Sequence, residues 1–354
     1  MQIRMDFPGG NGVIRDITDN IVTMAPDLRD TNIPWFYWMF QVTGAQGKTL
    51  HFRFPENCVG YFGGAVSPDG EHWRWAGSRD DDGNGFRYTF GAEETSLYFC
   101  HDMRYPVERF VRFAEGTDLL RYPFARTRHG REVPAYLAGT GDRYLLLTSR
   151  HHCCESTGTW VLEGVVRSYL EDPIPGLRLL TVPFIDLDGV EEGDQGKNRI
   201  PFDHCHDYVT GVYPETRAML DFAESHSVAF YVDCHSPWHL GGRNDHVFLS
   251  GAYAKEDPHT LCLEPYLLEA NRRFPGGLCY DPASSVPFYY DWNQDLPRGQ
   301  ETSKRYFARK KDVIFSASME TAYFGTPEDP VSTDNLLLVG KRLYWALRSL
   351  YAAQ

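Results

Sequence analysis

The sequence predicts a two-domain protein, in which an N-terminal antiparallel β-sandwich precedes an α/β domain with a mostly parallel or mixed sheet flanked by helices. Its 354 residues correspond to about two domains of average size. Before residue 113, short runs of alternating aromatic and β-branched residues indicate strands, whereas strand-like and helix-like segments alternate after residue 118. We place the boundary near Gly116 and predict domains of residues 1–116 and 117–354.

The first domain is predicted from runs with a period near two, at residues 35–42, 50–54, 86–90 and 96–100. Clusters of Gly, Pro, Asp and Asn separate these runs, as turns separate the strands of a sandwich. No segment before Gly116 has a convincing helical pattern, so we expect no helix there. The sequence does not indicate what this domain does.

The second domain is predicted from alternating elements. Strand-like runs lie at residues 144–149, 179–185, 228–234 and 313–319. Helical spacing and helix-start signals lie at residues 156–169, 214–225 and 334–352. Such alternation is typical of a parallel sheet covered by helices.

The charge balance excludes several classes of partner. With 48 acidic residues against 35 Lys and Arg, the net charge of -13 repels phosphate backbones and anionic lipid. No run approaches the ~18 apolar residues of a membrane span. We therefore predict a soluble, cytoplasmic protein that binds neither nucleic acid nor membranes. The 8 cysteines are too few for a disulfide scaffold in a chain of this length and are expected to be reduced.

Side chains capable of metal binding and acid–base chemistry follow the predicted strands. His152 and Glu155 come after the first strand, His235 directly follows the third, and Glu320 directly follows the fourth. In open α/β sheets, ligands bind outside the carboxyl ends of the strands, so these residues are expected to converge there. The i, i+3 pair of His152 and Glu155 is by itself weak evidence for a metal site, since a glutamate at the start of a helix also interacts favourably with the helix dipole. With His235 it completes the His₂Glu set of a catalytic zinc.

These motifs resemble a known family. The segment 150–155, Arg-x-His-x-x-Glu, is similar to the Arg-x-His-Pro-Gly-Glu segment of zinc metallocarboxypeptidases, and Asp-Gly-Val at 188–190 resembles the family's Asn-Pro-Asp-Gly-Val. Glu320 in ASMETAYFG lies where the family carries its catalytic glutamate. The aromatic first half, from WFYWMFQVTG onward, looks like the β-sandwich that precedes the catalytic domain in the cytosolic carboxypeptidase-like subgroup.

The resemblance implies one catalytic zinc ion per chain, a glutamate base and an aspartate that orients the first zinc-binding histidine. The implied zinc ligands are His152, Glu155 and His235. Glu320 is the implied base, and Asp203 is the implied orienting aspartate. A cation near the developing oxyanion is also implied, and Arg199 is the candidate. By strict register the family's arginine falls near Gly196.

The sequence departs from the family where a terminal carboxylate would bind. Cys205 and His206 replace an Asn-Arg pair, and neither reproduces a bidentate, permanently charged guanidinium. Lys304 or Arg305, in a basic run, is an alternative anchor that would favour acidic residues, although a solvated surface segment is the other interpretation of that run. A second metal near His204 and His206, or plain packing of these side chains, is compatible with the pattern.

The predicted function is therefore zinc-dependent hydrolysis of a peptide or isopeptide amide bond. A zinc amidohydrolase that acts on a small acylated or amino-acid conjugate is the first alternative, since it needs no carboxylate clamp. A catalytically inactive binding protein on the same fold is the second. The sequence indicates neither the substrate nor the oligomeric state.

Overall fold

The structure is a computed structural model that describes residues 1–254 and 257–354. Its first part consists of two stacked sheets, and its second part is a mixed sheet with helices. The strands of the first part are β1 (Gln2–Arg4), β2 (Val13–Thr18), β3 (Ile21–Ala25), β4 (Met39–Thr43), β5 (Thr49–Arg53), β6 (Ala65–Ser67), β7 (Arg74–Trp75), β8 (Gly85–Thr89) and β9 (Ser96–Cys100).

The two sheets of the sandwich have the strand orders β1-β4-β9-β6-β7 and β2-β3-β5-β8. Pairing is antiparallel apart from β3 and β5, which run parallel over three residues. Alternate side chains of both sheets point inward and form one aromatic core, which includes Trp38, Phe40, Phe52, Phe86 and Phe99. The predicted sandwich is confirmed: residues 50–54, 86–90 and 96–99 bury alternate side chains, and residues 36–40 of the first run are all buried.

The expectation that no helix precedes Gly116 is wrong. Helix α1 (Val107–Glu115) follows Pro106 and ends at Gly116, and it buries only Phe110 and Ala114. A stripe of two residues in a nine-residue helix is too short for the helical period to stand out against the neighbouring strands.

The second part is built on a sheet of order β10-β11-β13-β12-β14-β16-β15, in which β13, β12, β14 and β16 are parallel and the outer strands antiparallel. This confirms the predicted mixed sheet. Its strands are β10 (Leu120–Arg121), β11 (Tyr136–Ala138), β12 (Arg143–Ser149), β13 (Leu177–Val182), β14 (Ser227–His235), β15 (Val247–Ser250) and β16 (Phe315–Thr321). Strands β14 and β16 extend further than predicted, so His235 and Glu320 lie within them rather than after them.

Helices cover this sheet. They are α2 (Ser156–Glu171), α3 (Leu187–Glu192), α4 (Pro214–Ser225), α5 (Pro258–Arg273), α6 (Ser303–Ala308) and α7 (Thr333–Ala352). In the described part of the chain, none of them is both long and apolar enough to cross a membrane.

Helices α2 and α7 cross closely at two glycines. A Cβ added to Gly340 would lie 2.1 Å from the Val161 carbonyl oxygen, and one added to Gly164 would lie 2.3 Å from that of Leu337. Backbone atoms cannot withdraw as the end of a flexible side chain can, so these positions require glycine. The crossing holds α2, which begins beside Glu155, against the sheet.

We expect Gly340→Ala to lower the free energy of unfolding by about 1–3 kcal/mol, because the added methyl group forces the two helices apart. Urea unfolding followed by circular dichroism measures this change. Gly116→Ala is the matched control, since its new Cβ would meet neighbouring oxygens at an ordinary 3.6 Å, and we expect a change within about 0.5 kcal/mol. Equal midpoints for the two variants would contradict the close crossing.

Candidate metal centre and cleft

A cavity of about 360 Å³ opens where β12, β14 and β16 end, and residues from both parts of the chain line it. Most of the residues predicted from sequence for the site are found on its walls. These are His152, Glu155, Asp203, Cys205, His206, His235, Lys304 and Glu320. Arg199 and Arg305 lie elsewhere.

The turn between β12 and α2 carries His152 and Glu155. Arg150 adopts a left-handed backbone conformation there (φ 59°), which reverses the chain sharply after the strand. Its buried guanidinium fixes the turn by donating hydrogen bonds to the Cys153 carbonyl oxygen and, at 2.9 Å, to that of Tyr105.

One carboxylate joins the two histidines. Glu155 Oε1 lies 2.8 Å from His152 Nδ1, and Glu155 Oε2 lies 2.7 Å from His235 Nδ1. All three side chains are buried, and their ligand atoms lie within 4.8 Å of one another. Two imidazole nitrogens and a carboxylate are donors that suit zinc, and the cavity leaves room for a further ligand. These residues therefore fit a catalytic zinc ion.

The charge of Glu155 is stabilised by its neighbours. Burial raises the pKa of its carboxyl group, but His152, Lys197 and His235 outweigh this effect and hold the pKa well below its ordinary value. Burial in turn lowers the pKa of His152. The site is therefore electrostatically organised around an ionised carboxylate.

Asp233 orients the second histidine, a role that the sequence analysis missed. Its Oδ2 lies 2.7 Å from His235 Nε2, and its Oδ1 lies 2.8 Å from His151 Nδ1. Thr148 and Ser303 donate further hydrogen bonds of 2.8 and 3.0 Å to the same carboxylate. Asp233 accepts a hydrogen bond from Nε2–H of His235, and the other ring nitrogen, Nδ1, faces Glu155. Residues two apart on a strand share a face, and this spacing could have revealed Asp233.

Glu320 lies on the strand next to that of His235 and lines the same cavity. It pairs with His235 in the parallel register of β14 and β16 and is buried at the cavity wall. Burial raises the pKa of its carboxyl group, although His235 and Lys304 oppose the shift. A raised pKa brings a carboxyl group closer to the range in which it exchanges protons efficiently.

Arg199 lies outside the cavity that it was expected to line. Its guanidinium contacts Asp30 and Asp194 at 2.9 and 2.8 Å and also pairs with Asp186. These three carboxylates hold it in a separate acidic pocket. Its predicted role as the oxyanion cation does not fit this position.

Lys197 is the cation that the structure brings to the cavity instead. Its Nζ lies 3.0 Å from His152 Nδ1 and 3.3 Å from Glu155 Oε1. The preceding Gly196 has φ +72°, and a Cβ there would lie 2.5 Å from the Cys153 nitrogen, so the loop passes close beside the metal-binding turn. The backbone nitrogen of Gly196 donates a hydrogen bond of 2.8 Å to Asp30 Oδ2.

The segment after this loop carries Asp203, Cys205 and His206. Asp203 Oδ2 lies 3.7 Å from His152 Nε2, beyond hydrogen-bonding distance, whereas Cys205 Sγ lies 3.1 Å from the same nitrogen. Burial lowers the pKa of His206 to about 4, so this imidazole is neutral near pH 7. It therefore does not supply the positive charge of a guanidinium clamp.

Lys304 and Arg305 are neighbours on α6 but point in different directions. Lys304 is buried in the cavity wall, where its Nζ donates to Ser250 Oγ and lies 5.4 Å from the Trp292 ring centroid. Burial lowers the pKa of its ammonium group to about 8. Arg305 instead pairs with Asp295 at 3.2 Å and stacks on Phe288. Of the two, only Lys304 reaches the cavity.

Three tryptophans form much of the apolar wall: Trp35, Trp238 and Trp292. Trp35 belongs to the sandwich and lies 4.9 Å from Trp238, with the rings edge to face. The sandwich therefore contributes a wall of the cleft.

Comparisons with known proteins identify the fold. No protein-family model and no curated protein matches the sequence. A metallo-carboxypeptidase from Pseudomonas aeruginosa, solved in complex with (2-guanidinoethylmercapto)succinic acid, is 20% identical, with a TM-score of 0.78, and the match covers 99% of this chain and 99% of that chain. A metallo-carboxypeptidase from Burkholderia cenocepacia is 16% identical, with a TM-score of 0.79 and the same coverage of 99% and 99%. Over nearly its whole length, this chain has the fold of the metallo-carboxypeptidases.

Proposed function

We propose that the chain is a zinc-dependent hydrolase that cleaves a peptide or isopeptide amide bond. The observation that carries the proposal is the convergence of His152, Glu155 and His235 with the buried Glu320 in one cavity. Three neutral or anionic metal ligands with a carboxylic acid in the same cavity form the arrangement that metal-assisted amide hydrolysis needs.

The metal ligands, Glu320 and Asp233 have different roles in the proposed reaction. His152, Glu155 and His235 would hold zinc, which as a Lewis acid would polarise an amide carbonyl and lower the pKa of water. Glu320 accepts the proton of the attacking water and passes it to the leaving nitrogen. Asp233 accepts a hydrogen bond from Nε2–H of His235, so that the unprotonated Nδ1 is free to bind the metal.

Lys197 is proposed to stabilise the negative charge that develops on the carbonyl oxygen. It lines the cavity beside the ligands, whereas Arg199 does not. Burial lowers the pKa of Lys197, but the negative charges of Glu155 and Asp203 raise it, with the net effect that the ammonium stays charged. When an ion binds, the ammonium has to leave His152 Nδ1 and Glu155 Oε1, which it now contacts, and it then lies in the same cavity as the developing oxyanion, which a nearby cation stabilises.

The substrate is proposed to carry a carboxylate that binds Lys304. This ammonium lies in the wall of the same cavity, close to Trp292. A terminal carboxylate or an acidic side chain would both provide this group. Hydrolysis of a small amino-acid conjugate is the alternative, favoured by the neutral Cys205 and His206 at the position expected for a terminal-carboxylate clamp.

We expect Glu320→Gln to lower kcat by about 10²–10⁴-fold without loss of bound metal, because the amide cannot accept a proton. Peptide hydrolysis and zinc content of the purified variant measure the two effects. Glu328→Gln, the same change at an exposed loop residue, should behave as wild type. Unchanged hydrolysis in Glu320→Gln would rule out this mechanism, and a metal-bound wild type without hydrolytic activity would favour the inactive binding protein.

We expect Lys197→Met to lower kcat by about 10²–10³-fold with a small change in KM, since its charge acts mainly on the transition state. Lys197→Arg should recover part of the loss because it keeps the charge. Steady-state kinetics on one peptide substrate measures both, with Lys48→Met on the exposed surface of the sandwich as control. A loss confined to KM would instead make Lys197 a ground-state contact.

We expect a free-acid peptide to be cleaved faster than its C-terminal amide, and its KM to rise above pH 8. The pKa of Lys304 is about 8, lowered by burial against the opposing charges of Glu320, Asp233 and Asp257, so its charge is present below this pH and lost above it. At pH 9 about a tenth of the lysine is charged, and KM should rise by up to about tenfold.

Measuring KM between pH 6 and 10 for wild type and Lys304→Arg tests this dependence. The arginine variant should show a flat profile, since its guanidinium stays charged throughout the range. Equal rates on the acid and the amide would favour the small-conjugate amidohydrolase.

A further inference from the structure

A second group of metal donors lies on the opposite side of His152. While Nδ1 of this imidazole faces Glu155, its Nε2 faces Cys205 Sγ at 3.1 Å and Asp203 Oδ2 at 3.7 Å. The three ligand atoms lie within 4.8 Å of one another. We propose that His152 Nε2, Asp203 and Cys205 form a second metal site, selective for a divalent ion with affinity for sulfur, such as zinc.

The spacing of the donors suits one tetrahedral ion. Zinc bonds of about 2.3 Å to sulfur and about 2.0–2.2 Å to nitrogen or oxygen place neighbouring donors roughly 3.3–3.7 Å apart. The observed separations of 3.1 and 3.7 Å need only small side-chain adjustments. A mixed set of sulfur, nitrogen and oxygen favours zinc over magnesium or calcium, which take oxygen ligands.

All three donors are available to an ion. Asp203 Oδ1 accepts a hydrogen bond of 2.8 Å from the Arg199 backbone nitrogen, which fixes the carboxylate and leaves Oδ2 toward His152. Cys205 lies in the short 3-10 turn His204–His206, which directs its sulfur to the same nitrogen. Each residue is 6–7% exposed and lines the cavity, so an ion can reach the site from solvent.

Binding requires the loss of protons and a movement of Lys197. Cys205 releases its thiol proton on binding the ion, and His152 binds through Nε2 while its Nδ1–H donates to Glu155 Oε1. With the first site also filled, Nδ1 would bind that ion and release its proton to solvent, and His152 would then be a ligand of both ions. Lys197 Nζ lies 3.4 Å from Nε2 and has to move away from the ring when an ion binds this nitrogen. The competing interpretation is that Asp203 only orients His152, but at 3.7 Å it does not accept a hydrogen bond from this ring.

This inference shares His152 with the proposed hydrolytic site but does not depend on turnover. The test is titration of the metal-free full-length chain with Co²⁺, with metal per chain and the near-ultraviolet thiolate-to-cobalt charge-transfer absorption as readouts. We expect two ions per chain and a thiolate band in wild type. Cys205→Ser should lose the band and one ion while keeping the visible absorption of the first site, and His235→Ala should keep the band.

Cys279→Ser is the matched control, because this cysteine is exposed and remote from the cavity, and its band should persist. If Cys205→Ser does not fold, X-ray absorption of the zinc-loaded wild type decides instead, since the second site requires a sulfur neighbour at about 2.3 Å. One ion per chain without a sulfur signal would overturn the second site and leave the hydrolase proposal intact. Failure of wild type to bind any ion would overturn both.

Discussion

A single buried carboxylate holds the candidate site together. Taking the charge of Glu155 out of water costs several kcal/mol unless positive or hydrogen-donating groups surround it. The chain supplies them from three places: the turn after β12, the end of β14 and the loop that carries Lys197. These segments contact one another through Glu155, so a change in how they pack would also change the geometry of the site. Behind it, Asp233 repeats the arrangement by joining His151 and His235.

The residues that the sequence predicted correctly to meet are those whose position depends on the sheet alone. His152, His235 and Glu320 belong to three neighbouring parallel strands or the turn that follows one of them, and parallel register brings such positions to one edge. Period-two burial likewise made the sandwich predictable, because its pattern is local. Helix α1 was missed since a nine-residue element with two buried residues leaves too weak a pattern.

What the sequence left open or misplaced depends on contacts that are distant in sequence. Arg199 and Lys197 are two residues apart, and the choice between them is made by Asp30, Asp186 and Asp194, which hold the guanidinium elsewhere. Lys304 and Arg305 are adjacent on α6, and only the rotation of that helix against the sheet decides which one enters the cavity. Periodicity and charge alone do not fix either outcome. The cytoplasmic location and the cytosolic subgroup stay predictions.

The attachment of the Lys197 loop has a consequence for how the two parts of the chain work together. Asp30 of the sandwich accepts hydrogen bonds from the backbone nitrogens of Gln195 and Gly196, and the Gln195 side chain bonds the backbone of Tyr37. The sandwich thus anchors the loop that carries the Lys197 ammonium group, in addition to contributing Trp35 to the wall of the cleft. A motion that separated the two parts would remove Trp35 and the anchor of the Lys197 loop together, so the hydrolysis proposed for this cleft would require the two parts to be docked.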